Sequence, residues 1–328
     1  MKIITGGSGF IGSAICWRLN TLGIDDIIIV DTDMHGDKEK NLANLKYADF
    51  MHKDLFLGEI LQNAFYHKVD TIYHMGACSS TTEDDMEYLI ENNVEYSKHL
   101  ANWCVKNNVR FIYASSGATY GNGESGFDDD IALIPKLQPL NKYGLSKQIF
   151  DKWVIENNFH EKMVGLKYFN VFGPNENHKN DMKSMINKSY HQIVNTGKLK
   201  LFKSLNPKYK DGEQKRDFIY VKDAVEMTIF FDAGNEKGRE QNGIYNIGCG
   251  KAHTWLEVAN AIFKTLGKEP QIEFIDMPEN IMNQYQYFSE AKIDKIRKAG
   301  YDKNITELEK SIEEYIKNYL EPDKYLSV

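Results

Sequence analysis

Between Ile4 and Gly12 the chain reads Ile-Thr-Gly-Gly-Ser-Gly-Phe-Ile-Gly, and no other stretch constrains the fold as strongly. A short apolar run, Lys2–Thr5, comes just before it, and a helix-length segment, Ile11–Thr21, follows. A second apolar run, Asp26–Asp31, comes next. Strand, glycine turn, helix and strand in that order form a dinucleotide-binding unit, a context that an ordinary glycine-rich turn lacks. Gly6 allows the tight turn, Gly9 lets a pyrophosphate approach the backbone, and Gly12 lets helix and strand pack closely. The free N–H groups of the helix N-terminus then face the diphosphate.

The alternation continues. Thr71–His74, Arg110–Ala114 and Leu166–Asn170 read as strands, with helices near Tyr88–Asn107 and Tyr143–Asn157. This predicts an α/β fold with a doubly wound parallel (Rossmann) sheet covered on both faces. After Pro174 the regularity weakens, although a helix is expected around Lys183–Asn195. Strands are expected at Arg216–Val221 and Gly243–Ile247, with a helix from near Lys222. Residues 1–170 therefore read as the dinucleotide domain, and 171–328 as a smaller, interleaved substrate domain. Some of the segments near 216–250 are expected to return to the first sheet, and residues after Pro322 to fray.

A net charge of −7 provides no basic footprint for nucleic acid. Cys16, Cys78, Cys104 and Cys249 stand far apart, which suits reduced thiols and neither a metal site nor a disulfide frame. The first residues reach glycine before a secretory apolar core could form, and no apolar run approaches the roughly 20 residues that span a bilayer. A soluble, cytoplasmic enzyme with no membrane partner is the expectation.

The chemistry centres on Tyr143-Gly144-Leu145-Ser146-Lys147. Four residues is about one helical turn, so Tyr143 and Lys147 share a helix face. A nearby ammonium favours the phenolate, which can take a proton from an alcohol while a nicotinamide takes the hydride. Any long helix can contain Tyr-x-x-x-Lys; the glycine turn and an intervening serine pair give this one meaning. Ser116 ends the strand that starts near Arg110, at the carboxyl edge where such sheets bind ligands. Its hydroxyl can bond the reacting oxygen and relay a proton to Tyr143, or simply cap a helix. Asp31 ends the second strand about 20 residues after the glycines, where an acid bonds the adenosine ribose and favours NAD. Lys38 and Lys53 follow and could reach a 2′-phosphate, so these residues alone leave NAD against NADP open.

Together, the glycine turn, Ser116 and Tyr143/Lys147 resemble the extended short-chain dehydrogenase/reductase superfamily that acts on nucleotide sugars. Arg216-Asp217-Phe218-Ile219-Tyr220-Val221 is similar to its late strand motif, whose arginine grips the substrate diphosphate. Gly76-Ala77-Cys78-Ser79-Ser80-Thr81-Thr82-Glu83, Pro139 through Lys147, Tyr168 through Pro174, His178-Lys179 and Tyr285-Gln286-Tyr287-Phe288 resemble the ADP-glyceromanno-heptose 6-epimerases over essentially the whole chain. That resemblance implies NADP held tightly and recycled, and an ADP-heptose substrate epimerised at carbon 6 for lipopolysaccharide inner-core synthesis. It also implies a homo-oligomer, commonly a pentamer. Phe10, Ile11, Asp31, Thr32, Lys38, Lys53, Met75, Gly76, Ala77, Cys78, Ser79, Asn92, Lys147, Val171 and Lys179 would line the cofactor with Gly6, Gly9 and Gly12. Tyr143 and Lys179 would be the two acid/base groups. Ser116, Asn170, Asp181, Lys188, Phe202, Lys203, Ser204, Leu205, Arg216 and Tyr285 would fall along the substrate.

The chain departs from that family where Asn180-Asp181 replaces a small Gly-Ser, where Lys188 replaces a histidine, and in a longer segment before Arg216. Among rival readings, a 4,6-dehydratase needs an acidic pair just after the serine, whereas Gly117-Ala118 stands here. An idle dinucleotide-binding protein would have no need of Ser116, Tyr143 and Lys147. A UDP-hexose 4-epimerase is the closest alternative.

Overall fold

The computed structural model describes residues 1–32, 34–65, 67–282 and 285–328. Its frame is a seven-stranded parallel sheet in the order β10-β6-β5-β4-β1-β2-β3. These strands are β1 (Lys2–Thr5), β2 (Ile27–Asp31), β3 (Asp49–His52), β4 (Thr71–His74), β5 (Arg110–Ser116), β6 (Val164–Tyr168) and β10 (Gly243–Ile247). The expected doubly wound sheet is therefore present. Strands β1, β2, β4 and β6 are buried along their whole length, as a sheet covered on both faces requires. Edge strand β3, Asp-Phe-Met-His, is half exposed and too polar to announce itself in the sequence.

The strand order reverses between β1 and β4, and the crevice above that point is where ligands bind in such sheets. Helix α1 (Phe10–Thr21) leads away from the crevice. Gly6 has φ +64°, and a Cβ there would lie 2.7 Å from the Gly76 backbone; one on Gly12 would lie 2.2 Å from the Gly6 carbonyl oxygen. The turn closes only with glycine at both positions. Beyond α2 (Asp37–Leu42) and α3 (Lys53–Leu61), helix α4 (Met86–Leu89) passes through a π-helical turn into α5 (Tyr96–Asn107). The helix of the Tyr-x-x-x-Lys segment is α6 (Lys142–Glu156), capped by the Asn141 side chain, which accepts from the Gly144 N–H at 2.7 Å.

The remaining strands form two small sheets. In one, β9 (Lys215–Tyr220) lies between β7 (Asn170–Phe172) and β11 (Ala252–Thr254); in the other, β8 (Leu199–Phe202) pairs with β12 (Ile272–Ile275). The segment 216–250 thus divides. β10 joins the main sheet beside β6, the return expected of some of these segments, whereas β9 pairs with β7 after the chain has left that sheet. Helices α7 (Met185–Thr196), α8 (Val221–Ile229) and α9 (Trp255–Thr265) belong to the second half, with α8 packed on α1.

The expected frayed tail is instead docked. Leu326 is 1% exposed and its N–H donates to Asn175 Oδ1 at 3.0 Å, while the Tyr325 hydroxyl donates to Asp37 at 3.1 Å. One buried leucine and hydrogen bonds of Tyr325, Leu326 and Ser327 hold an end whose local sequence reads as polar.

Beneath the crevice, His74 is buried with Nδ1 2.7 Å from Thr5 Oγ1 and Nε2 2.8 Å from Ser97 Oγ. Burial pushes its pKa down to about 3, and Lys147 pushes the same way. Below pH 6.5 an unfolded chain takes up a proton that the folded chain excludes, so stability falls as pH drops. The expected slope is about 1.4 kcal/mol per pH unit between roughly 6 and 4. Urea unfolding of wild type and His74→Asn over that range checks it: the variant's slope should be flatter by this amount.

Candidate active site

Two connected clefts lie over the crevice. The upper, about 480 Å³, is lined by the glycine turn, the end of β2 and the segment 75–80. The lower, about 700 Å³, runs from Ser116 and Tyr143 out to α7, β8, Trp255 and Tyr285. Phe10, Ile11, Met75, Ala77, Ser79 and Lys179 line both, so the two form one continuous trough.

All fifteen residues expected at the cofactor from Gly6 to Asn92 line the upper cleft: Gly6, Gly9, Phe10, Ile11, Gly12, Asp31, Thr32, Lys38, Lys53, Met75, Gly76, Ala77, Cys78, Ser79 and Asn92. Lys147 and Val171 line the lower cleft, and Lys179 stands at the junction. Asp31 is fully engaged: one oxygen accepts from the Ser8 N–H (3.0 Å) and hydroxyl (2.6 Å), the other from the Thr32 N–H (2.8 Å) and Lys38 Nζ (2.9 Å). Burial opposes its charge, yet Lys38 and the Ser8 hydroxyl outweigh it and hold the carboxyl below its usual range. Lys53 pairs with Asp54 at 2.8 Å at the same end of the cleft.

In the lower cleft, the Ser116 hydroxyl does two things. It caps the short turn Gly117–Tyr120, accepting from the Ala118 N–H at 3.1 Å, and it acts on the Tyr143 phenol, which lines the same cleft. Burial raises the Tyr143 phenol above its ordinary value, Ser116 lowers it, and Cys78 adds to the rise. Burial also pushes Lys147 down to about 8 against the pull of Asp151 and Cys78. The expected bias of Tyr143 toward phenolate is therefore absent from the polypeptide itself, because burial outweighs the lowering by Ser116 and Lys147 is not among the groups that act on the phenol. Below them, Asp151 accepts from Lys167 Nζ at 2.6 Å, Ser115 Oγ at 2.7 Å and Tyr113 OH at 3.0 Å, a buried brace one turn beyond Lys147.

Lys179 approaches from the loop after β7. Its Nζ lies 5.4 Å from the Phe10 ring centre, and burial pushes its pKa down while Glu176 pulls it up. A buried amine of lowered pKa is suited to proton transfer near neutral pH.

The expected substrate residues divide. Ser116, Asn170, Lys188, Phe202 and Tyr285 line the lower cleft. Arg216 stands behind the lining, its guanidinium 5.8 Å from the Trp255 ring centre and 5.3 Å from that of Tyr285. Asp181 is outside, its carbonyl accepting from Lys188 Nζ at 3.2 Å. Lys203 turns away to Asp276 (2.9 Å), the Ser204 N–H donates to Asp211 (2.7 Å), and Leu205 is 57% exposed. The turns of residues 206–213 draw that segment off the cleft. Lys183, Gln192, Lys200, Met182 and Trp255 line it without having been singled out; their types are common along the chain and carry no local signal. Thr81 and Asn141 also line it, and both fall inside stretches already marked by resemblance. Five lysines (147, 179, 183, 188 and 200) line the lower cleft, and no Asp or Glu does among the described residues.

The NAD dependent epimerase/dehydratase family model matches residues 2–248. The chain belongs to that family. It is 48% identical over 320 residues to a protein of Nitratidesulfovibrio vulgaris (strain DP4) named ADP-L-glycero-D-manno-heptose-6-epimerase, covering 98% of each. A protein of the same name from Fusobacterium nucleatum subsp. nucleatum is 44% identical over 336 residues, covering 99% of this chain and 100% of its own. Among solved structures, the Helicobacter pylori ADP-L-glycero-D-manno-heptose-6-epimerase superposes with a TM-score of 0.78 at 25% identity, covering 97% of this chain and 95% of that one. A UDP-N-acetylglucosamine 4-epimerase from Methanobrevibacter ruminantium M1 gives 0.79 at 26%, covering 98% of each. Fold similarity alone does not separate the two activities; the relatives at 48% and 44% identity all carry the first name.

Proposed function

We propose that this epimerase converts ADP-D-glycero-β-D-manno-heptose to its L-glycero epimer at carbon 6, using a bound NADP, and that it works as a homo-oligomer in the cytoplasm. The observation that carries the reading is the lower cleft: Tyr143, Ser116 and Lys179 among five lysines, with no acid among the described residues lining it. A lysine-lined trough complements a nucleotide diphosphate, and dehydration has no carboxylate there to protonate a departing hydroxyl.

The upper cleft fits a dinucleotide, since the glycine turn leaves a cradle that any Cβ would fill. Gly6, Gly9 and the first turn of α1 would hold the pyrophosphate, and the nicotinamide would supply reversible hydride acceptance. Carbon 6 lies outside the sugar ring, so its hydroxyl points to different places in the two epimers. One base within about 3 Å of both positions is difficult to arrange. Tyr143 serves one position, with Ser116 relaying its proton and Lys147 beside it. Lys179 serves the other. Lys188 meets the ADP moiety from the cleft wall, with Arg216 behind Trp255 and Tyr285 adding positive charge.

Asp31 is already committed to Ser8 and Lys38, which favours a 2′-phosphate over a bare ribose beside Lys38 and Lys53. Denatured enzyme should release NADP. Lys38→Ala with Lys53→Ala should cut the preference for NADP over NAD by about tenfold or more, as loss of a charged hydrogen bond of roughly 1.5–3 kcal/mol implies. Recovery of NAD alone, with no preference on rebinding, would remove NADP from the account. The purified enzyme should also turn over ADP-heptose with no nucleotide added; a strict need for added cofactor would contradict tight binding.

A further inference from the structure

Lys179 is followed by a backbone conformation that its residue type resists. Asn180 has φ 46° and ψ −119°, the first central position of a type II′ turn, where glycine is usual. Such conformations persist only where the surroundings over-determine them. Here the surroundings converge on one carboxylate. Glu176, 1% exposed, accepts from the Gly173 N–H at 3.3 Å, the Ser184 N–H, the Ser184 hydroxyl at 2.7 Å and the Tyr315 hydroxyl at 2.9 Å.

Those donors come from both ends of the loop and from behind it. Gly173 precedes the loop, Ser184 caps α7 after it, and Tyr315 closes the helix Leu308–Tyr315 near the other end of the chain. Tyr315 is itself held by Asn187 Nδ2 on α7 at 2.9 Å. Within the loop, the Lys179 N–H donates to the Glu176 carbonyl at 3.0 Å. Glu176 lines neither cleft, so its carboxylate is spent on this network.

We propose that Glu176, gripped by Ser184 and Tyr315, is a positioning residue: it holds the loop 177–183 in the strained form that seats the Lys179 ammonium against Phe10, where the two clefts meet. The proposal rests on Lys179 being the second acid/base group. A Lys179 out of place should cripple epimerisation, which needs both groups. It should spare dismutation of an aldehyde analogue of the keto sugar, in which one hydrated molecule is oxidised to the acid and a second aldehyde is reduced to the alcohol.

Tyr315→Phe should lower epimerisation about tenfold or more, the scale of a small misplacement, while dismutation and bound NADP change less than about twofold. Backbone amides 177–183 should exchange hydrogen faster. Adding Asn180→Gly, which removes the strain, should restore much of both. Glu176→Gln should behave like Tyr315→Phe with a larger effect. Equal losses in the two reactions, or unchanged exchange across 177–183, would overturn the proposal. If Lys179→Met keeps full epimerisation, the acid/base reading of Lys179 fails separately, and the exchange data alone decide whether Glu176 holds the loop.

Discussion

Tyr143→Phe loses most turnover while keeping fold and cofactor, because only one ionisable oxygen is removed. A positioned acid/base group contributes roughly 10²–10⁴-fold, or about 3–5 kcal/mol of barrier. Tyr143 is half-buried beside Ser116 and Lys147, and burial raises its phenol. Steady-state rates with ADP-heptose, beside the NADP content of the purified variant, check the prediction. A near-normal rate with full cofactor would move the proton transfer elsewhere, with Lys179 the first suspect.

Lys179→Met has a comparable effect through a different route. Methionine is unbranched, of similar length and apolar, so it can take the lysine's place near Phe10, but it neither accepts nor donates a proton. Epimerisation should fall about 10²-fold or more, with NADP retained. Tyr143→Phe and Lys179→Met should each leave part of the aldehyde dismutation, since either group serves one hydroxyl position, and the double variant should leave almost none. Wild-type epimerisation by Lys179→Met would reduce Lys179 to a loop residue and end the two-base account.

Those residues could be found in the sequence because the chemistry is written in short local patterns. The glycine turn, the serine ending β5 and the Tyr143/Lys147 spacing each depend on one strand or helix, and the main sheet follows from alternation of such elements. What escaped depends on distant contacts. β3 is a polar edge strand whose identity comes from pairing with β2. β9 looks like a core strand, but its partner, β7, lies outside the main sheet. The tail reads as polar, and its order comes from Leu326 reaching Asn175 across 151 residues. Lys203, Ser204 and Leu205 adjoin cleft residue Phe202, yet the bond from the Ser204 N–H to Asp211 turns them away. The phenolate bias of Tyr143 failed for an electrostatic reason: spacing places a charge nearby, but only burial decides how much that charge is worth.

The central claim is a choice of substrate as well as of mechanism. The most direct measurement places ADP-D-glycero-β-D-manno-heptose and UDP-galactose together with the purified enzyme and follows both sugars by NMR. The account predicts that the heptose signals divide between the two carbon-6 epimers while UDP-galactose stays unchanged. Conversion of UDP-galactose to UDP-glucose with the heptose untouched would contradict it and make the chain a 4-epimerase.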